Sequence, residues 1–141
     1  MMANYLNKLG LIKWFSELIQ TNIASYGFGW GLSVAILVLV YFYAHYFFAS
    51  TTAHVTAMFA AFYAAALLLG APPLYTALLM AAASSLMMTL THYATGTAPV
   101  IFGSGYVPLG DWWKMGFIMS IVNLSVWVVA GSLWWKVLGY W

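Results

Sequence analysis

The sequence predicts an all-α integral membrane protein, both from its composition and from the distribution of its charges. Of the 141 residues, 65% are hydrophobic and 4% are charged, whereas about a quarter of the residues in soluble domains are charged. The stretch from Leu18 to Gly110 contains no Asp, Glu, Lys or Arg, and two polar segments, residues 50–54 and 91–97, interrupt it. Because about 20 apolar residues cross a bilayer as a helix, the chain has room for about four or five membrane elements.

The first predicted element is an interfacial amphipathic helix at residues 4–20. Apolar residues between Leu9 and Ile19 share one face at the helical period, and Lys13, Ser16 and Glu17 lie on the opposite face. This pattern is typical of a helix that lies in the membrane interface. An ordinary surface helix is the alternative.

The second predicted element is a re-entrant helical hairpin at residues 30–70, with its tip near residues 50–54. The apolar runs 32–49 and 55–69 flank the first polar segment, and Pro72 and Pro73 forbid further helix. The second run is short for a span, so we expect the chain to turn at membrane depth and return to the side it entered. A tight loop between two full spans is the alternative.

A broken helix at residues 74–109 and a final transmembrane helix at residues 111–138 are predicted next. Residues 74–90 are rich in Ala, Ser and Met, which favours close helix packing in lipid, and the second polar segment and Gly103-Ser104-Gly105 follow. Asp111 suits the positive N-terminal end of the last helix, and tryptophans flank its apolar run at both ends, as in interfacial belts.

The two polar segments predict a ligand site, because irregular polar backbone at membrane depth persists only where protein buries it or a cavity receives it. Broken helices of this kind form midplane sites in secondary transporters. Ser and Thr hydroxyls both donate and accept hydrogen bonds, so they can hold a carboxylate or help to coordinate Na⁺. The alternative is that Ser50, Thr51 and Thr52 simply cap a helix.

Three histidines, His45, His54 and His92, lie in the uncharged region. Ionisable residues within a membrane are functional candidates, and a protonated His attracts a carboxylate. A neutral His bonded to backbone or Tyr is the alternative, which we favour for His45. No paired spacing supports a zinc site of three His. An enzyme is disfavoured because the region lacks a carboxylate and the chain lacks Cys, and a net charge of +2 predicts no nucleic-acid partner.

Two segments carry a resemblance to a known family. They read YFFASTTAHVTAM at residues 46–58 and THYATGTAPVIFGSGYV at residues 91–107. They resemble the divalent anion:sodium symporter family, and within it the branch of bacterial citrate/succinate antiporters and plastid 2-oxoglutarate/malate translocators. In that family a Ser-Asn-Thr signature lies at the tip of each of two re-entrant hairpins. Ser50-Thr51-Thr52 matches the second tip, with Thr51 in place of Asn, a difference that bears on cation dependence.

The residues and the resemblance together predict a set of site residues and a function. The resemblance covers only the C-terminal part of the family fold. We therefore expect two missing partners: the first repeat, with its own hairpin, and the scaffold helices that form a homodimer. The function is transport of citrate, succinate or similar di- and tricarboxylates across a bacterial inner membrane, by antiport or Na⁺-coupled symport. The alternative is a small accessory or structural membrane protein. The predicted substrate-binding residues are Ser50, Thr51, Thr52, His54, His92, Thr95, Gly96 and Thr97, with Na⁺ as a coupling ion at Ser50, Thr52, Thr95 and Thr97.

Overall fold

The structure, a computed structural model, describes residues 10, 14, 17, 18, 21, 22 and 29–141. All regular elements among these residues are helical, which confirms the predicted all-α class. Three helical stretches are long and apolar enough to cross a membrane, so the chain is a multi-pass membrane protein. They are Trp30–Phe47, Thr51–Leu68 and Leu109–Val137, and the shorter apolar helix Pro73–Thr89 lies between the second and the third.

The helices follow one another in this order. Helix α1 is Trp30–Tyr43 and continues as a 3₁₀ turn, Ala44–Phe47, and helix α2 is Thr51–Leu68. Helix α3 is Pro73–Leu86 and continues as a 3₁₀ turn, Met87–Thr89, and helix α4 is Ala98–Gly103. Helix α5 is Leu109–Val126 and passes through a π turn, Trp127–Gly131, into helix α6, Ser132–Val137.

Most of the predicted interfacial helix, residues 4–20, lies outside the described residues. Those that are described there belong to helical turns: the Trp14 amide donates to the Gly10 carbonyl at 2.8 Å, and Thr21 Oγ1 donates to the Glu17 carbonyl at 2.7 Å. The interfacial position of this segment stays a prediction.

The second arm of the hairpin is longer than the sequence suggested, because α2 begins at Thr51, inside the first polar segment. Ser50 has extended backbone and its hydroxyl accepts a hydrogen bond from the Ala53 amide, so it caps the helix one turn before the apolar run starts. The resulting helix of 18 residues has the length of a span. Helix length therefore suits a crossing as well as a re-entrant arm, and the re-entrant path stays a prediction.

A glycine and two prolines make the turn between α2 and α3. Gly70 adopts a left-handed φ of 83°, a conformation that residues with a side chain rarely adopt, and the Ala71 amide donates back to the Ala66 carbonyl at 3.2 Å. Pro73 occupies the first turn of α3, where the missing N–H costs no hydrogen bond. The chain thus reverses at the place where the sequence predicted a turn.

Pairs of tyrosine and serine hydroxyls join the helices. Tyr41 in α1 is bonded to Ser84 in α3, Tyr43 in α1 to Ser120 in α5, and Tyr75 in α3 to Ser132 in α6, with oxygen–oxygen distances of 2.7, 3.1 and 3.0 Å. Hydrogen bonds of this kind between membrane helices stabilise by about 0.6 to 2 kcal/mol each. They hold the interior together without any charged side chain.

The last helix approaches the end of α3 through Gly116. A Cβ atom at Gly116 would lie 2.8 Å from the carbonyl oxygens of both Thr89 and Leu90. Those oxygens belong to backbone, which cannot rotate away as the end of a long side chain can. The absence of a side chain at Gly116 therefore sets the distance between α5 and the segment that leads into the second polar region.

We predict that Gly116→Ala destabilises the protein by about 1 to 3 kcal/mol, the usual cost of forcing an extra carbon into a packed site. Gly110→Ala, in the same helix, is the matched control, since a Cβ there meets nothing within 4 Å. Thermal unfolding of both variants in detergent, followed by circular dichroism, measures the difference. Equal melting temperatures for the two variants would contradict this account of the packing.

Candidate functional site

The two polar segments meet in the structure. Thr51, at the start of α2, donates two hydrogen bonds to the carbonyl oxygen of Ala94: one from its amide at 3.1 Å and one from its hydroxyl at 2.9 Å. Tyr93 donates from its hydroxyl to the Tyr46 carbonyl at 2.8 Å. We call this meeting of residues 46–54 and 91–97 the junction. The junction brings two helix breaks that lie far apart in sequence into direct contact.

Most amides at the start of α2 already have partners. The Thr51 amide donates to Ala94, the Ala53 amide to the Ser50 hydroxyl, and the His54 amide to the Ser50 carbonyl at 3.1 Å. The start of α2 therefore offers fewer free amides to an anion than an uncapped helix would. Ser50 caps α2, as the alternative interpretation of the sequence suggested. Thr51 links the two breaks through its hydrogen bonds to Ala94.

The second polar segment also forms its own hydrogen bonds. The hydroxyls of Thr95 and Thr97 lie 3.1 Å apart, and the Thr95 oxygen accepts a hydrogen bond from the Ala98 amide at 3.2 Å. This contact fixes the start of the short helix α4, whose second residue is Pro99. The result is an ordered turn that presents hydroxyl oxygens.

The predicted site residues differ in how far they are exposed to solvent. Thr52, Gly96 and Thr97 are exposed, and Ser50, Thr51 and Thr95 are half-buried. Exposed hydroxyls beside the junction are able to donate hydrogen bonds to a carboxylate. Hydroxyl oxygens also suit a hard cation such as Na⁺. The four predicted Na⁺ ligands, Ser50, Thr52, Thr95 and Thr97, offer hydroxyl oxygens as side-chain donors, and a Na⁺ site there stays a prediction.

His92 is half-buried beside an aromatic group. Its Nδ1 accepts a hydrogen bond from the indole Nε1–H of Trp113 at 3.2 Å, and the rings of Tyr93 and Phe102 lie 4.9 and 4.8 Å from it. Because an indole nitrogen only donates, the Nδ1 atom of His92 is the acceptor in this contact. A role of His92 in holding a substrate carboxylate stays a prediction.

His54, the last residue of the first junction segment, pairs with His45. Both side chains are fully buried, and their Nδ1 atoms lie 3.3 Å apart. His45 was not among the predicted site residues, although the sequence contained a signal for it. His45 and His54 are placed symmetrically about the Ala49–Ser50 bond, so the arms of a hairpin that turns there bring them together.

The three histidines do not converge on one point. His92 is bonded to Trp113, whereas His45 and His54 face each other. Within residues 29–141 and the six described residues before them, no three His, Asp or Glu side chains come close enough together to hold a metal ion.

Comparison with known proteins gives a match along the whole chain. Residues 1–141 match the family described as "Sodium:sulfate symporter transmembrane region". The chain is 53% identical over 140 residues to "Dicarboxylate transporter 1, chloroplastic" of Spinacia oleracea, covering 99% of the chain and 25% of that protein. It is 53% identical over 141 residues to "Putative malate transporter YflS" of Bacillus subtilis, covering 100% of the chain and 29% of that protein.

The match to a more distant relative covers similar shares of the two proteins. The chain is 35% identical over 141 residues to "Citrate/succinate antiporter" of Escherichia coli K12, covering 99% of the chain and 28% of that protein. The chain therefore spans between a quarter and three tenths of the length of these curated relatives.

We predict that Thr51→Val destabilises the folded chain by about 0.5 to 1.5 kcal/mol, because one hydrogen bond across the junction is lost, whereas Thr51→Ser retains it. Thr56→Val is the matched control: the Thr56 hydroxyl donates to the Thr52 carbonyl within α2 and joins no other element. Denaturant titration in detergent compares the three variants. A stability loss in Thr56→Val as large as that in Thr51→Val would contradict a special role of the junction.

Proposed function

Because the chain belongs to the family of the sodium:sulfate symporter transmembrane region, we propose that it forms the C-terminal part of a secondary transporter of di- and tricarboxylates. The family match confirms the relationship that the two polar segments indicated in the sequence. The names of the relatives support the substrate class, since they include dicarboxylate, malate and citrate/succinate transporters. The proposal concerns citrate, succinate and anions of similar size and charge.

The observation that carries the proposal is the junction. A helix that begins at Thr51 and a turn at residues 94–97 are bonded to each other, and three residues beside that bond, Thr52, Gly96 and Thr97, are exposed. In secondary transporters, broken helices supply such groups to substrate and coupling ion. In our proposal the hydroxyls of Thr52 and Thr97 donate to a substrate carboxylate, and the Nε2–H of His92 is a further donor.

The proposed transporter includes parts that this chain does not supply. A first repeat with its own hairpin would contribute the other half of the substrate site, and scaffold helices would form a homodimer. Large apolar side chains on the last helix are uncovered, among them Ile121, Val129 and Leu133, each about half exposed or more. We propose that lipid and these missing helices cover them, and that the assembly resides in a bacterial inner membrane.

The coupling mode is proposed as anion exchange, with Na⁺ symport as the alternative. Thr51 stands where the resembling family has Asn, and its hydroxyl proton is bonded to the Ala94 carbonyl. A hydroxyl that donates in this way has lone pairs left, but it lacks the second polar atom of an amide. The site is thus poorer in cation ligands at this position than a Ser-Asn-Thr tip.

The test is a chimera in which the chain replaces the matched quarter of the spinach dicarboxylate transporter 1. In proteoliposomes loaded with unlabelled succinate, we expect the chimera to exchange labelled succinate or citrate, and the isolated chain to exchange none. Exchange should persist when K⁺ replaces Na⁺. Thr52→Val and Thr97→Val should each reduce the apparent affinity about tenfold, the effect of losing about 1.4 kcal/mol of binding free energy.

Thr56→Val in the same chimera is the matched control, since Thr56 is exposed one turn further along α2. A chimera that assembles but does not exchange carboxylates would overturn the transporter proposal and favour the accessory protein. Robust exchange by the isolated chain would contradict the need for the missing repeat. Loss of exchange in K⁺ would replace the antiport mode with Na⁺-coupled symport.

A further inference from the structure

A groove runs along the surface between the first and the last of the described helices, with α3 as its floor. Its volume is about 380 Å³, within the range of ligand pockets. The groove is open to the outside, where Leu39 and Val129 are 46% and 61% exposed. Most of its lining is apolar and comes from three elements: Gly31, Ala35 and Leu39 of α1, Leu79 of α3, and Leu124 and Val128 of the last helix.

The two walls of the groove differ from ordinary helix surfaces. On α1, Gly31 and Ala35 lie one turn apart on the same face, and a Cβ atom at Gly31 would meet nothing within 4 Å. On the opposite wall, Val128 belongs to the π turn Trp127–Gly131. Such turns within α-helices are frequent at functional sites. The groove therefore lies where one wall lacks large side chains and the other departs from regular α-helix.

The length of the groove matches one leaflet of a bilayer. Gly31 and Leu39 are the first and the last residues of α1 that line it, and they are separated by about 12 Å along the helix axis. The hydrocarbon core of a bilayer is about 30 Å thick, so one leaflet is about 15 Å deep. An acyl chain that enters beside Gly31 therefore comes close to the membrane centre at Leu39.

Aromatic rings gather at the end of the groove beside Gly31. The ring of Trp141 lies 5.7 Å from that of Trp30 and 5.6 Å from that of Tyr75, which itself lines the groove. The indole Nε1 of Trp141 donates to the Ser132 carbonyl at 3.0 Å, which fixes the position of the ring. Trp and Tyr concentrate at the level of the lipid headgroups. This end of the groove therefore lies at the headgroup level.

A lysine lies over the same aromatic rings. The Nζ atom of Lys136 is 5.0 Å from the centroid of the Trp141 ring, a distance at which an aromatic face attracts a cation. Lys136 is exposed, and it forms no ion pair within the part of the chain that the structure describes. Long basic side chains near helix ends place their charge among the headgroups, where they attract anionic lipids. A positive charge beside the mouth of the groove is thus open to an anion.

We propose that the groove and Lys136 form a binding site for one anionic phospholipid. Its phosphate group lies at Lys136, and one of its acyl chains fills the groove from Gly31 towards Leu39. The charge favours an anion, and the apolar groove that begins beside the charge favours an anion with a hydrocarbon chain. A helix from the missing part of the transporter would cover the groove but would leave the lysine without an anion. The site does not rest on the proposed transport function.

The first test is native mass spectrometry of the full chain, released from vesicles with equal amounts of dioleoyl phosphatidylglycerol and dioleoyl phosphatidylcholine. The two lipids have the same acyl chains and differ in net charge. We expect one phospholipid to stay bound to each chain, and phosphatidylglycerol to be retained about fivefold more often, the preference that one lysine near an anionic lipid supplies. Equal retention of the two lipids, or retention of neither, overturns the proposal.

Lysine variants test the place of the headgroup. Lys136→Gln should abolish the preference for phosphatidylglycerol, and Lys136→Arg should retain it. Lys114→Gln is the matched control, because Lys114 is exposed near the opposite end of the helical stretch Leu109–Val137. A preference that persists in Lys136→Gln, or that Lys114→Gln abolishes equally, overturns the assignment of the headgroup to Lys136.

Larger side chains in the groove test the place of the acyl chain. Gly31→Leu and Ala35→Leu should each abolish lipid retention, because the new side chain takes the space of the acyl chain. Ala60→Leu, at an exposed position of α2, is the matched control and should retain the lipid. Circular dichroism shows whether each variant keeps its helices. Undiminished retention in a helical Gly31→Leu or Ala35→Leu variant overturns the assignment of the acyl chain to the groove.

The chimera described above decides between a lipid and a helix of the missing part. In the same vesicles, we expect the chimera to retain phosphatidylglycerol, and Lys136→Gln to remove that preference. A chimera without a preference that depends on Lys136 overturns the proposal and assigns the groove to a protein helix. Lipid retention requires an assembled chimera and not a working one. A chimera that retains the lipid but does not exchange carboxylates therefore contradicts the transport function alone.

Discussion

The need to satisfy backbone polar groups at the two helix breaks is the constraint on which the rest of this structure depends. A helix leaves its first amides and its last carbonyls without partners inside the helix, and each break creates such groups. The chain satisfies them by setting the breaks against each other, with the Ala94 carbonyl accepting from both the amide and the hydroxyl of Thr51. Once that contact exists, the hairpin and the broken helix are held as one unit.

The packing around this unit uses hydroxyls and small residues where a soluble protein would use charges. The bonds from Tyr41 to Ser84 and from Tyr43 to Ser120 tie α1 to its neighbours, and Gly116 allows the last helix to approach backbone carbonyls directly. Lipid is as apolar as a leucine core, so close packing and hydrogen bonds replace hydrophobic burial as the reason for helices to associate. The same close approach positions the second break.

Polar groups around the turn form two layers. The outer layer consists of the exposed threonines of the junction, whose hydroxyls suit a carboxylate, and the inner layer consists of the buried pair His45 and His54. Ser50 belongs to both, because its hydroxyl caps α2 and its carbonyl accepts from the amide of His54. The first turn of α2 therefore joins the two layers through the backbone.

The sequence by itself determined the membrane class and the helical state, because a long apolar stretch without charged residues leaves few alternatives to membrane helices. It also indicated the family. It did not reveal that Thr51 is bonded to Ala94 or that His45 faces His54. These features depend on contacts between residues remote in sequence or across a turn, where hydrogen-bond partners and close packing are fixed only once the helices have met.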